Sequence, residues 1–215
     1  MATPDFTPPT GVSCHRGRGR AVVVVGRFEV SVPDAPRSQS LPITKLSFGV
    51  TRNTETMVAT GDAAPDFTAP LANGDIEEFT LSERLADEAP VVLAFFPGAF
   101  TGVCTTEMCT FQDRLAAFND LDAAVYGVSR DSPFTLNEFR EQNDLEFGLI
   151  SDYNKDIVDD YGLSMDFADL GVHGVAKRSV FVIDGDGEVA YSWVSDDPGV
   201  EPDYDEVEAA VEDLS

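Results

Sequence analysis

Apolar and polar positions alternate in a way that splits the chain into strands and helices from about residue 57 onward. Val91-Val-Leu-Ala-Phe-Phe96 is a continuous apolar run of strand length, as expected for a strand covered on both faces. Pro97-Gly98 ends it. From about Gly102 the period becomes helical. Cys104, Met108, Phe111, Leu115 and Phe118 recur at steps of four and three, which predicts one buried helix face running to about Asn119. Ala123–Ser129 reads as a second buried strand. Asp131-Ser132-Pro133 opens a helix to about Gln142, with Pro133 in a tolerated first-turn position and Phe134, Leu136 and Phe139 as its buried set.

The flanking segments are shorter. Gly61–Asn73 reads as loop and short strand, and Asn73-Gly74-Asp75 as a tight turn that Ile76–Thr80 completes as a hairpin. Ser82–Asp87 is a short helix, Phe147–Ile150 a strand, and Asn154–Tyr161 a helix closed by Gly162. Ser179–Asp184 and Glu188–Ser195 are strands joined by Gly185-Asp186-Gly187, and Asp203–Leu214 is an acidic last helix. Asp184-Gly-Asp186-Gly-Glu188 lacks the length and closing glutamate of a calcium loop, so it reads as a turn. Strands alternating with helices, then a hairpin and a terminal helix, predict an α/β sheet sandwich.

Composition changes the picture in two places. The 215 residues include 14 basic and 39 acidic side chains, for a formal charge of −25. That excess argues against nucleic acid or an anionic membrane as a partner. It resembles a surface adapted to high salt, and self-repulsion predicts that added salt raises the thermal midpoint; a melt that salt does not move counts against it. The charge is uneven. Residues 1–56 hold seven of the basic side chains, Arg16, Arg18, Arg20, Arg27, Arg37, Lys45 and Arg52, but only four of the acidic ones. That stretch has poor periodicity, and its apolar run Ala21–Val25 is too short for a signal-peptide core. It reads as a disordered extension, a targeting piece, or translated sequence upstream of the natural start. No apolar stretch reaches membrane-spanning length.

The candidate chemistry centres on a cysteine. The chain has three, Cys14, Cys104 and Cys109, too few and too odd a number for a disulfide scaffold; they fit reactive thiols in a reducing, cytoplasmic setting. Cys104 falls in the first turn of the helix after the buried strand. Unpaired N–H groups and the positive end of the helix dipole both favour a thiolate there, and the thiolate is the nucleophile. Thr101 places a hydroxyl three residues earlier, able to donate to the sulfur or to a substrate oxygen. Pro97 cannot donate and can shield the sulfur from water. Taken alone, such a cysteine can also be a small buried hydrophobe. Cys14-His15 offers too few ligands for a metal site.

The wording of the stretch decides between these. Pro97-Gly-Ala-Phe-Thr101-Gly-Val-Cys104 resembles the Pro-x-x-x-Thr-x-x-Cys signature of peroxiredoxins, and Phe95-Phe96 and Thr105-Thr106-Glu107 are similar to that family as well. The resemblance covers about Met57 to Ser215. It implies a thioredoxin-like fold, with a central mixed β-sheet flanked by helices, and a thiol-dependent peroxidase that needs no cofactor or metal. Met57-Val-Ala-Thr-Gly-Asp-Ala-Ala-Pro65-Asp66-Phe67 resembles the opening of many members, which favours Met57 as the natural first residue and 57–215 as the domain. Gly174-Val-Ala-Lys-Arg178-Ser-Val-Phe-Val-Ile-Asp184 looks like the segment carrying the active-site arginine, so Arg178 is the candidate cation; without the family, a solvated basic pair with Lys177 is the better reading. Glu107 occupies a spot where relatives often carry Glu or Gln; it could orient an arginine or simply favour a helix start. Trp193 reads as core more than pocket, and nothing in the sequence places His173 near Cys104.

Resolution of the oxidised cysteine is where two resemblances part. The Cys104-x-x-x-x-Cys109 spacing resembles bacterioferritin-comigratory or Q-type members, in which the later cysteine resolves. The FFPGAFTGVC wording and the Arg178 segment look closer to the alkyl-hydroperoxide-reductase-E-like group, which commonly lacks a resolving cysteine. A thioredoxin- or glutaredoxin-like reductant and a peroxide substrate are implied, and a homodimer is compatible with the family. Two other readings compete. A thiol-disulfide oxidoreductase usually carries Cys-x-x-Cys at the helix start, which this chain lacks. A redox sensor would oxidise slowly, a peroxidase fast.

Overall fold

A computed structural model of the chain describes residues 57–214; the readings made of residues 1–56, Cys14 and His15 included, lie outside them. The elements are β1 Thr68–Asn73, β2 Asp75–Thr80, α1 Leu81–Glu88, β3 Val91–Phe95, α2 Gly102–Asp120, β4 Ala124–Ser129, α3 Pro133–Gln142, β5 Gly148–Ser151, α4 Asp156–Asp160, β6 Ser164–Phe167, β7 Val172–Ala176, β8 Ser179–Ile183, β9 Val189–Val194 and α5 Tyr204–Glu212. Seven strands form one sheet in the order β2-β1-β5-β4-β3-β8-β9. β3 runs parallel to β4, and β4 to β5, because α2 and α3 carry the chain back across the sheet. β8 lies antiparallel against the other edge of β3. Thus the central strand is mixed, parallel on one side and antiparallel on the other, as the α/β reading expects.

β3 is central because it is apolar at every position. All five of its residues are buried, alternate side chains entering two separate cores. Val91, Leu93 and Phe95 join Phe79, Tyr161 and Phe181 on one face. Val92, Ala94 and Phe96 join Met108, Phe111, Phe118 and Phe139 on the other. The predicted stripe of α2 packs on this second face, with Cys104, Met108, Phe111, Leu115 and Phe118 all buried. Gly127 on β4 permits that approach: a Cβ there would meet the Met108 sulfur at 3.0 Å and Leu149 at 2.7 Å.

Two readings need correction. Phe134 is not part of the buried face of α3; it is 76% exposed, while Leu136 and Phe139 are buried. Two residues along a helix turn by ~200°, so Phe134 cannot share a face with Leu136. The pattern also missed the hairpin of β6 and β7, whose outer positions are exposed or half-buried. The Asp184–Glu188 segment is a turn as expected: the Asp184 carboxylate accepts the Asp186 and Glu188 amides at 3.0 and 2.9 Å.

Candidate active site

The site lies at the C-terminal ends of the parallel strands, where the chain leaves β3 and enters α2. Pro97 is buried at the strand end, and Thr101 is the N-cap of α2, in extended conformation. Its hydroxyl does not cap the helix. It turns back and donates to the Gly98 carbonyl at 2.9 Å, so the N–H groups of the first turn are left uncapped by it. The hydroxyl oxygen keeps its capacity to accept an O–H from a peroxide. The Thr101 carbonyl receives both the amide and the hydroxyl of Thr105, at 2.9 and 2.8 Å, which fixes the first turn.

Cys104 sits in that first turn, is 1% exposed and is a free thiol. Arg178 reaches it from the start of β8. The Arg178 Nη2 donates to the Cys104 Sγ at 3.4 Å and also to the Pro198 carbonyl at 2.7 Å. Nε donates to the same carbonyl at 3.2 Å, and Nη1 donates to the Glu107 carboxylate. The guanidinium is itself buried, at 1% exposure, and its planar fork meets three partners in three directions. Of the two readings of Arg178, the solvated surface pair is therefore the wrong one. Lys177 alone faces solvent, bonded to Asp196 at 2.6 Å.

Glu107, whose role the sequence left open, is the orienting partner of Arg178, and it is fully buried. Its second oxygen, Oε1, has no hydrogen-bond partner among the described residues. Burial pushes this carboxyl up to about 8, against the pull of the Arg178 charge and hydrogen bond, and Glu201 adds to the rise. Burial also works against the charge of Arg178, but Glu107 and then Cys104 outweigh it and hold the guanidinium above its ordinary value. In this pair the guanidinium stays charged and the carboxyl is the group that titrates.

Two contributors carried no usable sequence signal. The Pro198 carbonyl, which accepts two bonds from Arg178, belongs to the loop between β9 and α5. That loop is held by α5, where the Tyr204 ring packs edge-on against Phe111 at 5.2 Å and Arg114 bonds Asp205 and Glu208 at 2.6 and 2.8 Å. Asp131, after β4, accepts the Ala99 amide at 2.7 Å. Cys109 is half-buried in α2. Trp193 is half-buried against the core that contains Cys104. His173 is exposed and paired with Asp166 at 3.0 Å, with no contact to the sulfur. No group of metal-ligating side chains occurs among the described residues, and none of their helices is long and apolar enough to cross a membrane.

A mixed sheet flanked by helices, with a buried free cysteine at a helix N-terminus beside a buried arginine, is the arrangement of a thiol-dependent peroxidase on a thioredoxin-like fold. The comparisons with known proteins agree. Residues 60–192 match the AhpC/TSA family, and the chain belongs to that family. It is 36% identical over 146 residues to the chloroplastic 2-cysteine peroxiredoxin of Chattonella marina var. antiqua, covering 64% of this chain and 71% of that one. Among solved structures, peroxidoxin BcpB from Mycobacterium tuberculosis superposes with a TM-score of 0.63 at 30% identity, over 74% of this chain and 99% of that one. The reduced 2-Cys peroxiredoxin of Plasmodium vivax gives 0.65 at 26% identity, over 72% and 81%. The chain is an oxidoreductase of the peroxiredoxin kind, an antioxidant peroxidase.

Proposed function

We propose that Cys104 is the peroxidatic cysteine and that Pro97, Thr101 and Arg178 complete its site. The reading rests on one observation, the Arg178 guanidinium 3.4 Å from a sulfur in the first turn of α2. The Cys104 thiolate attacks one peroxide oxygen. An S–O bond forms, the O–O bond breaks, sulfur loses two electrons, and the other oxygen leaves as hydroxide or alkoxide and is protonated. Arg178 and the first-turn amides offer positive charge where that oxygen becomes negative. Thr101 accepts the peroxide O–H, and Pro97 keeps water from the sulfur.

Cys109, once reduced to the thiol, then attacks the Cys104 sulfenic acid, a disulfide forms and water leaves. Both cysteines lie in the continuous helix α2. Five residues of ideal helix separate Cα atoms by ~8.7 Å, beyond the ~7 Å a disulfide tolerates. The first turns of α2 must therefore unwind, and Glu107, which lies between the cysteines, must leave Arg178. A thioredoxin- or glutaredoxin-like dithiol in a reducing, cytoplasmic setting completes the cycle by exchange.

Peptide mapping after one equivalent of hydrogen peroxide tests the scheme. A Cys104–Cys109 bridge is expected, and turnover with a thioredoxin system should fall sharply in Cys109→Ser. A sulfenic acid that persists on Cys104, or Cys109 recovered in a bridge to Cys14, would remove Cys109 from the mechanism and leave resolution to an external thiol.

A further inference from the structure

The turn that delivers Thr101 and Cys104 contains a conformation its residue does not favour. Phe100 has φ +64°, in the left-handed region that bulky side chains rarely occupy. It is also half exposed. Such a residue persists only where its surroundings over-determine it, and such outliers cluster where a fixed geometry is used. Two contacts flank Phe100 here. Its ring stands edge-on against Phe139 of α3 at 5.2 Å. The residue before it, Ala99, donates its amide to Asp131 Oδ2 at 2.7 Å.

Asp131 is well placed to act as a fixed anchor. The parallel pairing of β3 with β4 continues past the strands, with Phe96 N bonded to Val128 O at 3.0 Å, so both chains leave the sheet side by side. The same Oδ2 accepts the hydroxyl of buried Ser129 at 2.7 Å. The Asp131 carbonyl accepts the hydroxyl of buried Ser151, on β5, also at 2.7 Å. The Asp131 carboxylate thus ties the Pro97–Thr101 turn to the end of β4, and its backbone carbonyl ties the same residue to the end of β5. On the turn itself, the Thr101 hydroxyl closes onto Gly98, the residue before Ala99.

We infer that Asp131 is a positioning residue for peroxide reduction: by holding the Ala99 amide it fixes the strained Phe100 turn, and so sets where Thr101 meets a peroxide bound at Cys104. The inference rests on the peroxidatic assignment of Cys104. Asp131 touches neither sulfur nor substrate. Its loss leaves the thiolate and Arg178 in place and lets the turn relax, so the peroxide O–H and the attacking sulfur are no longer aligned.

Two rates separate this role from a structural one. Iodoacetamide alkylation of Cys104 needs the thiolate but not an aligned peroxide. Stopped-flow oxidation by hydrogen peroxide needs both. Asp131→Ala is expected to slow oxidation by about 100-fold, the scale of a misplacement near 1 Å, with alkylation changed less than about two-fold. Asp131→Asn keeps an acceptor for the Ala99 amide and should recover most of the oxidation rate. Should Asp131→Ala not fold, Phe100→Gly provides the second route; it removes the strain and the Phe139 contact and frees the turn, so oxidation should again fall while alkylation holds. Unchanged oxidation in these variants, a parallel fall of both rates, or an Asp131→Asn protein as slow as Asp131→Ala would overturn the assignment. A wild-type protein whose Cys104 does not react with peroxide would sink the peroxidatic reading, and this inference with it.

Discussion

Arg178→Ala is expected to slow oxidation of Cys104 by peroxide about 10²–10³-fold, the usual loss when one preorganised donor to a developing oxyanion is removed. Cys104→Ser sets the floor, with turnover at background. The guanidinium faces the sulfur at 3.4 Å, and in the proposed scheme it also meets the charge that grows on the leaving oxygen. Removing it also strips the Pro198 carbonyl of both its bonds from Arg178 and leaves the buried Glu107 carboxyl without its Arg178 hydrogen bond. Leaving a buried polar group unpaired in this way costs about 1–3 kcal/mol. Glu107 already holds its proton up to about 8, so the variant buries no new uncompensated charge and the loss stays on that scale. Arg178→Lys is the sharper comparison. It keeps the charge but not the fork, and an ammonium cannot meet Cys104, Glu107 and Pro198 from one position. Its rate should fall between wild type and alanine. Stopped-flow oxidation, read beside urea midpoints, tests both, and an alanine variant with an unchanged rate constant would remove Arg178 from the site.

What the sequence revealed of this arrangement followed the range of each signal. The five apolar residues of β3 announce a doubly covered strand, and the four-and-three spacing from Cys104 to Phe118 announces the face of α2 that covers it. These are local patterns and were legible. Arg178 was legible through family wording alone, because a basic pair before a strand has no inherent direction; burial chose Arg178 and left Lys177 outside. The Glu107–Arg178 pair spans 71 residues, and no local pattern carries that distance. Pro198 acts through its carbonyl, which every residue has. Asp131 looked like part of a helix start, and its neighbour Ser132 is indeed the N-cap of α3, accepting the Thr135 amide at 3.2 Å. The Asp131 carboxylate was free for another task, visible only once β3 and β4 lay side by side.

Glu107→Gln should change the pH dependence of stability more than any other single substitution at the site. The folded protein holds the Glu107 proton up to about 8, whereas an unfolded chain releases it near 4.5. Between those values the folded state binds more protons than the unfolded one. Stability therefore falls as pH rises through this window, because the buried carboxyl resists ionising and the unfolded one does not. Glutamine has the size of the acid and an oxygen that still accepts from Arg178, but it does not titrate. The variant should lose the slope between about pH 5 and 8 and gain on wild type steadily across it, by a few kcal/mol at the upper end. Asp152, buried and pushed up to about 6, contributes a slope of the same sign at lower pH in both proteins and cancels in the comparison. Urea midpoints at pH 5, 6.5 and 8 measure the difference. Parallel curves would mean that Glu107 is ionised throughout and that Arg178, rather than burial, governs its proton.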